Sequence, residues 1–146
     1  MSDNLRLKNQ LCFPLYALSR QITSLYRPLL DKLGLTYPQY LVLMVLWEFN
    51  QLNIKQLGEM LFLDTGTLTP LLKRMEIRGL LVRKRSAIDE RIVDIIITQE
   101  GKDLEKEAEV IPFAIKEGLG MDDEEIKNFR DQLNSILKVI TDKGTD

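Results

Sequence analysis

The chain has 146 residues, 45% of them hydrophobic, and a net charge of −2, which suits one folded domain with a real core and excludes a disordered chain. It has no histidine and one cysteine, Cys12, which excludes an internal disulfide, a Cys-rich zinc site and every His-dependent catalytic triad. No apolar run approaches ~20 residues and the first ten residues are polar, so neither a spanning helix nor a signal peptide is expected, and the expected location is cytoplasmic.

From residue 5 to about 32, Leu11, Leu15, Leu18, Ile22, Leu25 and Leu29 keep helical spacing. Pro14 must kink this helix or lie near its start, and Pro28 poses the same choice near the other end. Gly34 is a helix stop. Thr36 as cap and Pro38 in the first turn open a second helix. It runs to about Phe49 and is apolar almost throughout, so it should be central. Residues 54 to 61 predict a short third helix with Leu57, Met60 and Leu61 inward. A turn at Leu63 and Asp64 leads to a fourth helix ending at Gly79, with Leu68, Leu71, Leu72 and Met75 toward the core.

Leu80 to Arg85 and Ile92 to Ile97 are rich in β-branched residues and read as two strands joined by a charged tip, Ser86 to Arg91. Thr98 caps a fifth helix, in which Gly101 is a mild weakness and which Pro112 should kink or end. Gly118 to Met121 is a break. The last helix starts at the acids Asp122 to Glu125, as the helix dipole prefers, and carries an apolar stripe through Ile126, Phe129, Leu133, Ile136, Leu137 and Ile140. Four helices, a hairpin and further helices describe a mainly helical α+β protein: a winged helix-turn-helix lobe over 36–98, with helical arms at 1–35 and 99–146. A partner helix or the chain itself could cover the last stripe. A small winged core cannot bury it alone, which favours a homodimer.

Charge is distributed against the average. Residues 71 to 91 hold seven Lys or Arg against three Asp or Glu, whereas residues 99 to 146 hold seven against thirteen. A basic segment within an acidic chain suggests a surface aimed at a polyanion. On the fourth helix, Thr65, Thr67 and Thr69 offer hydroxyls to bases or phosphates, and Lys73, Arg74 and Arg78 offer cations. The plainer alternative is a solvated basic face. In the hairpin, Arg91 suits a narrow minor groove, Asp89 would hold Arg91 or order the turn, and Arg83, Lys84 and Arg85 would flank the backbone. The plainer alternative there is an ordinary salt bridge on a hairpin.

The segments NQLCFPLY, LTYPQYLVL and LDTGTLTPLLKRME, with the Asp89-Glu90-Arg91 tip, resemble the multiple-antibiotic-resistance regulator (MarR) family of winged-helix transcription factors. Within it they resemble the organic hydroperoxide resistance regulator (OhrR) subgroup with one cysteine. The resemblance covers essentially the whole chain. Pro14 stands where the pattern has an aliphatic residue. The resemblance implies a homodimer on double-stranded palindromic operator DNA, a repressor rather than an enzyme, and no metal or cofactor. It also implies that Cys12 senses peroxide, with Tyr26 and Tyr37 as hydroxyl donors.

A lone cysteine is otherwise often a small buried side chain. Cys12, Tyr16 and Tyr26 fall within one half of a helical wheel. Cys12 and Tyr26 are 14 residues apart, about 21 Å along a straight helix, and cannot touch within it. Two copies of the helix crossing antiparallel near Ser19 would bring them together, with Tyr16 a further candidate. Donation by two hydroxyls would stabilise a thiolate. An organic hydroperoxide would then oxidise Cys12 to sulfenic acid; with no second cysteine to resolve it, a low-molecular-weight thiol would form a mixed disulfide, or a sulfenamide or higher oxide would result. Three other functions compete. One is a regulator of the same fold that binds a phenolic ligand, with Cys12 structural. The second is a one-cysteine peroxidase, and the third a winged-helix protein–protein module.

Overall fold

A computed structural model describes residues 1–144; the last two residues of the expected C-terminal arm, 145 and 146, lie outside the described residues. The chain divides into two compact units, Met1–Ile111 and Pro112–Asp146.

In the first unit, two short 3-10 turns, Asp3–Leu5 and Leu7–Asn9, precede helix α1, Cys12–Asp31. The expected helix from residue 5 is therefore too long. Pro14 is the third residue of α1, within the first turn, where its missing N–H has no intrahelical partner to lose. Pro28 sits inside the helix near its end. Helix α2, Tyr37–Phe49, starts at a capping box in which Thr36 accepts from the Gln39 N–H and the Gln39 side chain accepts from the Thr36 N–H. A second capping box, Asn53 with Gln56, opens α3, Ile54–Leu61. Asp64 caps α4, Thr65–Ile77, and α4 continues through Pro70. The Thr69 hydroxyl donates to the Thr65 carbonyl in that first turn.

The sheet has three strands, not two: β1 Gln51–Asn53, β2 Leu81–Arg85 and β3 Val93–Ile97, antiparallel, in the order β1-β3-β2. Strand β1 has three residues with one apolar side chain, too short to show alternation. Its pairing with β3, Leu52 opposite Ile95, makes it a strand. On β3, Ile95 and Ile97 face the core, and β2 with β3 forms the wing.

Leu43, Leu46, Leu57, Leu68, Leu72, Met75, Leu81 and Ile95 are all essentially buried, and burial of each such side chain contributes roughly 1.5–3 kcal/mol. Met60, expected inward, is 44% exposed, because the short α3 turns only Leu57 fully into the core. Helix α5, Gln99–Ala108, carries the expected Thr98 cap. Gly101 is a requirement rather than a weakness, since a Cβ there would lie 2.2 Å from the Leu80 carbonyl oxygen.

Pro112 falls at the second residue of a new helix, α6, Ile111–Leu119, so the chain breaks after Ala108 and restarts. Helix α7, Asp123–Lys143, opens with an Asp122–Glu125 capping box. The Lys116 ammonium and the Asp123 carboxylate, 2.6 Å apart, tie α6 to the start of α7. No residue of α7 is fully buried, and Ile136, Leu137, Val139 and Ile140 are exposed. No helix among the described residues is long and apolar enough to cross a membrane.

Candidate nucleic-acid interface and redox site

Helix α4 presents a polar start. The Asp64 carboxylate accepts from the Thr67 N–H at 2.6 Å, which holds its pKa below the ordinary value. Thr65 and Thr67 are exposed and Thr69 is half-buried. Leu68, Leu71, Leu72 and Met75 are buried, which orients the helix, and Lys73 and Arg74 are left exposed. Arg78 is engaged elsewhere: its guanidinium donates to the Gly34 carbonyl, and to the Leu33 carbonyl at 3.3 Å.

The wing is anchored to α4 by one carboxylate. Glu76 accepts from the Arg83 backbone N–H at 2.7 Å and from its guanidinium at 3.1 and 3.2 Å. The backbone N–H of Arg83 is the largest cause of the lowered Glu76 pKa. Arg83 thus points its charge inward, while Lys84 and Arg85 are exposed. Arg85 donates to the Glu90 carbonyl at 2.8 Å. At the tip, Asp89 accepts from both the side chain and the backbone N–H of Arg91, at 3.0 to 3.1 Å. That pairing lowers the Asp89 pKa and raises that of Arg91, whose side chain remains 90% exposed. Asp89 therefore orders the turn and aims a solvent-facing guanidinium.

Cys12 is the first residue of α1 and is exposed, not a buried hydrophobe of the protomer. Tyr26, far along the same helix, packs against Tyr37 with ring centroids 4.9 Å apart and against Tyr40 at 5.9 Å. Burial, followed by the neighbouring Tyr37 and Tyr40, pushes the Tyr26 pKa up to about 12. Burial likewise raises Tyr37. Both hydroxyls are thus neutral donors at physiological pH. An open groove runs beside Tyr37, between Arg20, Thr23, Ser24 and Arg27 on α1 and the Thr36–Pro38 turn. Tyr16 is exposed, and its ring centroid lies 5.5 Å from the guanidinium carbon of Arg20.

Sequence patterns did not single out Tyr40, Glu76 or Trp47 as site-supporting residues. Tyr40 had a signal, its i+3 spacing from Tyr37. Glu76 and Arg83 are joined across a helix-to-strand turn and leave no periodic trace. The Trp47 indole donates to the Gly101 carbonyl at 2.9 Å, across 54 residues.

A helix-turn-helix pair, α3 and α4, followed by an anchored basic wing defines a winged-helix transcriptional regulator. The family described as transcriptional regulator SarA/Rot matches residues 24–108. The chain is 50% identical over 142 residues to the organic hydroperoxide resistance transcriptional regulator of Bacillus subtilis, covering 97% of each. AbfR of Staphylococcus epidermidis has been solved reduced and bound to DNA. The match to that structure has 36% identity and a TM-score of 0.76, and covers 96% of this chain and 98% of AbfR. AbfR in a disulfide-formed state matches at 34% identity and a TM-score of 0.62, over 92% of this chain and 95% of AbfR. The chain belongs to the SarA/Rot family of transcriptional regulators, in the one-cysteine, organic hydroperoxide resistance regulator-like group of MarR-type winged-helix proteins.

Proposed function

We propose that this chain is a homodimeric repressor that binds palindromic operator DNA and releases it when an organic hydroperoxide oxidises Cys12. The observation that carries this is the construction of α1: one helix holds an exposed Cys12 at its first residue and Tyr26, packed against Tyr37, in its second half. Cys12 and Tyr26 are 14 residues, about 21 Å, apart on that helix. A Cys12 thiolate can therefore meet such donors only in Tyr26 and Tyr37 of the partner subunit, beside the groove along α1.

The thiolate attacks the distal oxygen of the hydroperoxide and the O–O bond breaks. The sulfur is oxidised to sulfenic acid, and the alkoxide leaves as the alcohol after gaining a proton. A low-molecular-weight thiol then condenses with the sulfenic acid, forming a mixed disulfide and water. Either product is bulkier than the thiolate at a subunit boundary. The exposed apolar stripe of α7 supplies the other part of that boundary.

On DNA, Thr65, Thr67, Thr69, Lys73 and Arg74 read or grip the major groove, Lys84 and Arg85 grip the backbone, and Arg91, held by Asp89, enters the minor groove. Two such surfaces must meet half-sites about one DNA turn, ~34 Å, apart, so a small change in dimer geometry costs affinity. The names of the relatives support this assignment: an organic hydroperoxide resistance regulator, and a regulator solved both on DNA and in a disulfide-formed state.

The test uses a duplex selected from a random pool on the reduced protein, with cumene hydroperoxide as oxidant and intact-mass analysis of Cys12. Cys12→Ser is expected to bind that duplex like the parent and to ignore the peroxide. A variant that still releases DNA on peroxide addition would remove Cys12 from the mechanism. Release by aromatic acids, with no effect of peroxide on the parent, would assign the groove to a phenolic ligand instead.

A further inference from the structure

Helices α1 and α4 end in the same way. At α1, the Leu35 N–H donates to the Leu30 carbonyl and the Gly34 N–H to the Asp31 carbonyl, with Gly34 at φ +62°. At α4, the Leu80 N–H donates to the Met75 carbonyl and the Gly79 N–H to the Glu76 carbonyl, with Gly79 at φ +76°. Both are Schellman closures, which satisfy the last helical carbonyls and leave those just beyond without backbone partners. Arg78 is the C-cap residue of α4, so its backbone is held by the second closure. Its guanidinium crosses to the first closure and donates to the Leu33 and Gly34 carbonyls. A cation then stands where the negative ends of two helix dipoles meet, which is its favoured place. The left-handed backbone at Gly34 favours glycine, and a Cβ there would also lie 3.1 Å from the Arg78 Nη2.

We propose that Arg78 is a positioning residue, not a DNA contact. It locks the end of the recognition helix α4 to the end of the sensor helix α1, so that displacement of α1 on Cys12 oxidation is passed to the DNA-reading surface. This inference rests on the function proposed above. Its physical basis is the geometry of the fork. A planar guanidinium with two carbonyl partners resists rotation as well as separation, and a single-point ammonium does not. Without the lock, α1 and α4 stay connected through α2, but the end of α4 no longer follows that of α1.

The test compares the parent with Arg78→Met, Arg78→Lys and Gly34→Ala on the selected duplex, with Cys12 fully reduced or oxidised by cumene hydroperoxide and its state read by mass. For Arg78→Met, operator affinity in the reduced state is expected to fall less than about threefold with an unchanged salt slope, while the reduced-to-oxidised affinity ratio shrinks about tenfold. Gly34→Ala, which crowds the guanidinium from the other side, is expected to shrink the same ratio. Arg78→Lys keeps the charge and loses the fork; it is expected to shrink the ratio in part at constant salt slope, and it carries the test if the methionine variant does not fold. A ratio equal to that of the parent in these variants overturns the proposal. So does an intact ratio with a salt slope lower by about one in Arg78→Met, the signature of a phosphate contact. A parent protein whose Cys12 oxidises with no change in operator affinity overturns the function reading itself, and this proposal with it. Normal release by the parent with normal release by the Arg78 variants overturns this proposal alone.

Discussion

The cationic residues of the basic segment share a charge but not a task. Arg78 and Arg83 are held by carbonyls of the α1 end and by the Glu76 carboxylate, while Lys73, Arg74, Lys84 and Arg85 are exposed. Arg91, like Arg78 and Arg85, is both held and reached by solvent, and Asp89 leaves its side chain 90% exposed at the wing tip. Arg91→Ala is therefore expected to lower operator affinity about tenfold and the salt slope by about one, measured by fluorescence anisotropy across a salt series. An unchanged salt slope would take Arg91 off the DNA. The pairing also sets a pH dependence. The folded Asp89 pKa is depressed, so the pairing is fully present above its unfolded value near ~3.9 and is lost as pH falls through the lower folded value. The wing tip should therefore hold its geometry from ~pH 8 down to ~pH 5. The tyrosines carry the opposite sign. A Tyr26 pKa pushed up to about 12 keeps its hydroxyl protonated, and the stability from that neutral form is lost only as pH rises past ~10 toward 12.

Among elements, the junction between α4, β2 and α5 is held by hydrogen bonds centred on Thr98. The Thr98 hydroxyl donates to the Gly79 carbonyl at 2.5 Å and accepts from the Gly101 N–H at 3.1 Å. The Thr98 N–H donates to the Leu80 carbonyl at 3.2 Å, and the Trp47 indole reaches the Gly101 carbonyl from α2. One cap residue thus fastens the start of α5 to the end of the recognition helix. Gly101→Ala would drive a methyl group into the Leu80 carbonyl and the Ile97 side chain. It is expected to cost about 1–3 kcal/mol, as overpacking typically does, read as a lower denaturation midpoint with unchanged slope. A midpoint equal to that of the parent would show that α5 can shift without cost. The sequence showed Gly101 only as a poor helix former. The 2.2 Å approach that makes it necessary joins residues 21 positions apart, and no local pattern encodes it.

For the whole molecule, the decisive surface is one that a single chain leaves open. The exposed Ile136, Leu137, Val139 and Ile140 of α7 form an apolar face that water disfavours. Ile136→Glu with Ile140→Glu, two charges one helical turn apart, should halve the mass measured by light scattering at micromolar protein. Operator affinity should fall at least about a hundredfold, because a monomer meets one half-site only. A variant that remains dimeric would move the interface elsewhere.

Local rules determined much of this protein without tertiary information. Thr36 and Thr98 each cap the helix expected of them, and Asp64 and Asp122, expected only at the starts of theirs, cap them too, because a cap acts within three residues. Val and Ile runs made the wing strands, and the Asp89–Arg91 pair formed because two residues in a tight tip cannot avoid each other. The basic segment pointed to DNA because charge is counted, not folded. Only tertiary structure decided β1, whose three residues are a strand by pairing alone, and the start of α1 at Cys12 rather than residue 5. It alone joined Glu76 to Arg83 and brought the Arg78 guanidinium to the carbonyls just beyond the end of α1. These contacts depend on where elements lie in space, and residues brought together across 44 positions by packing carry no periodic signal along the chain.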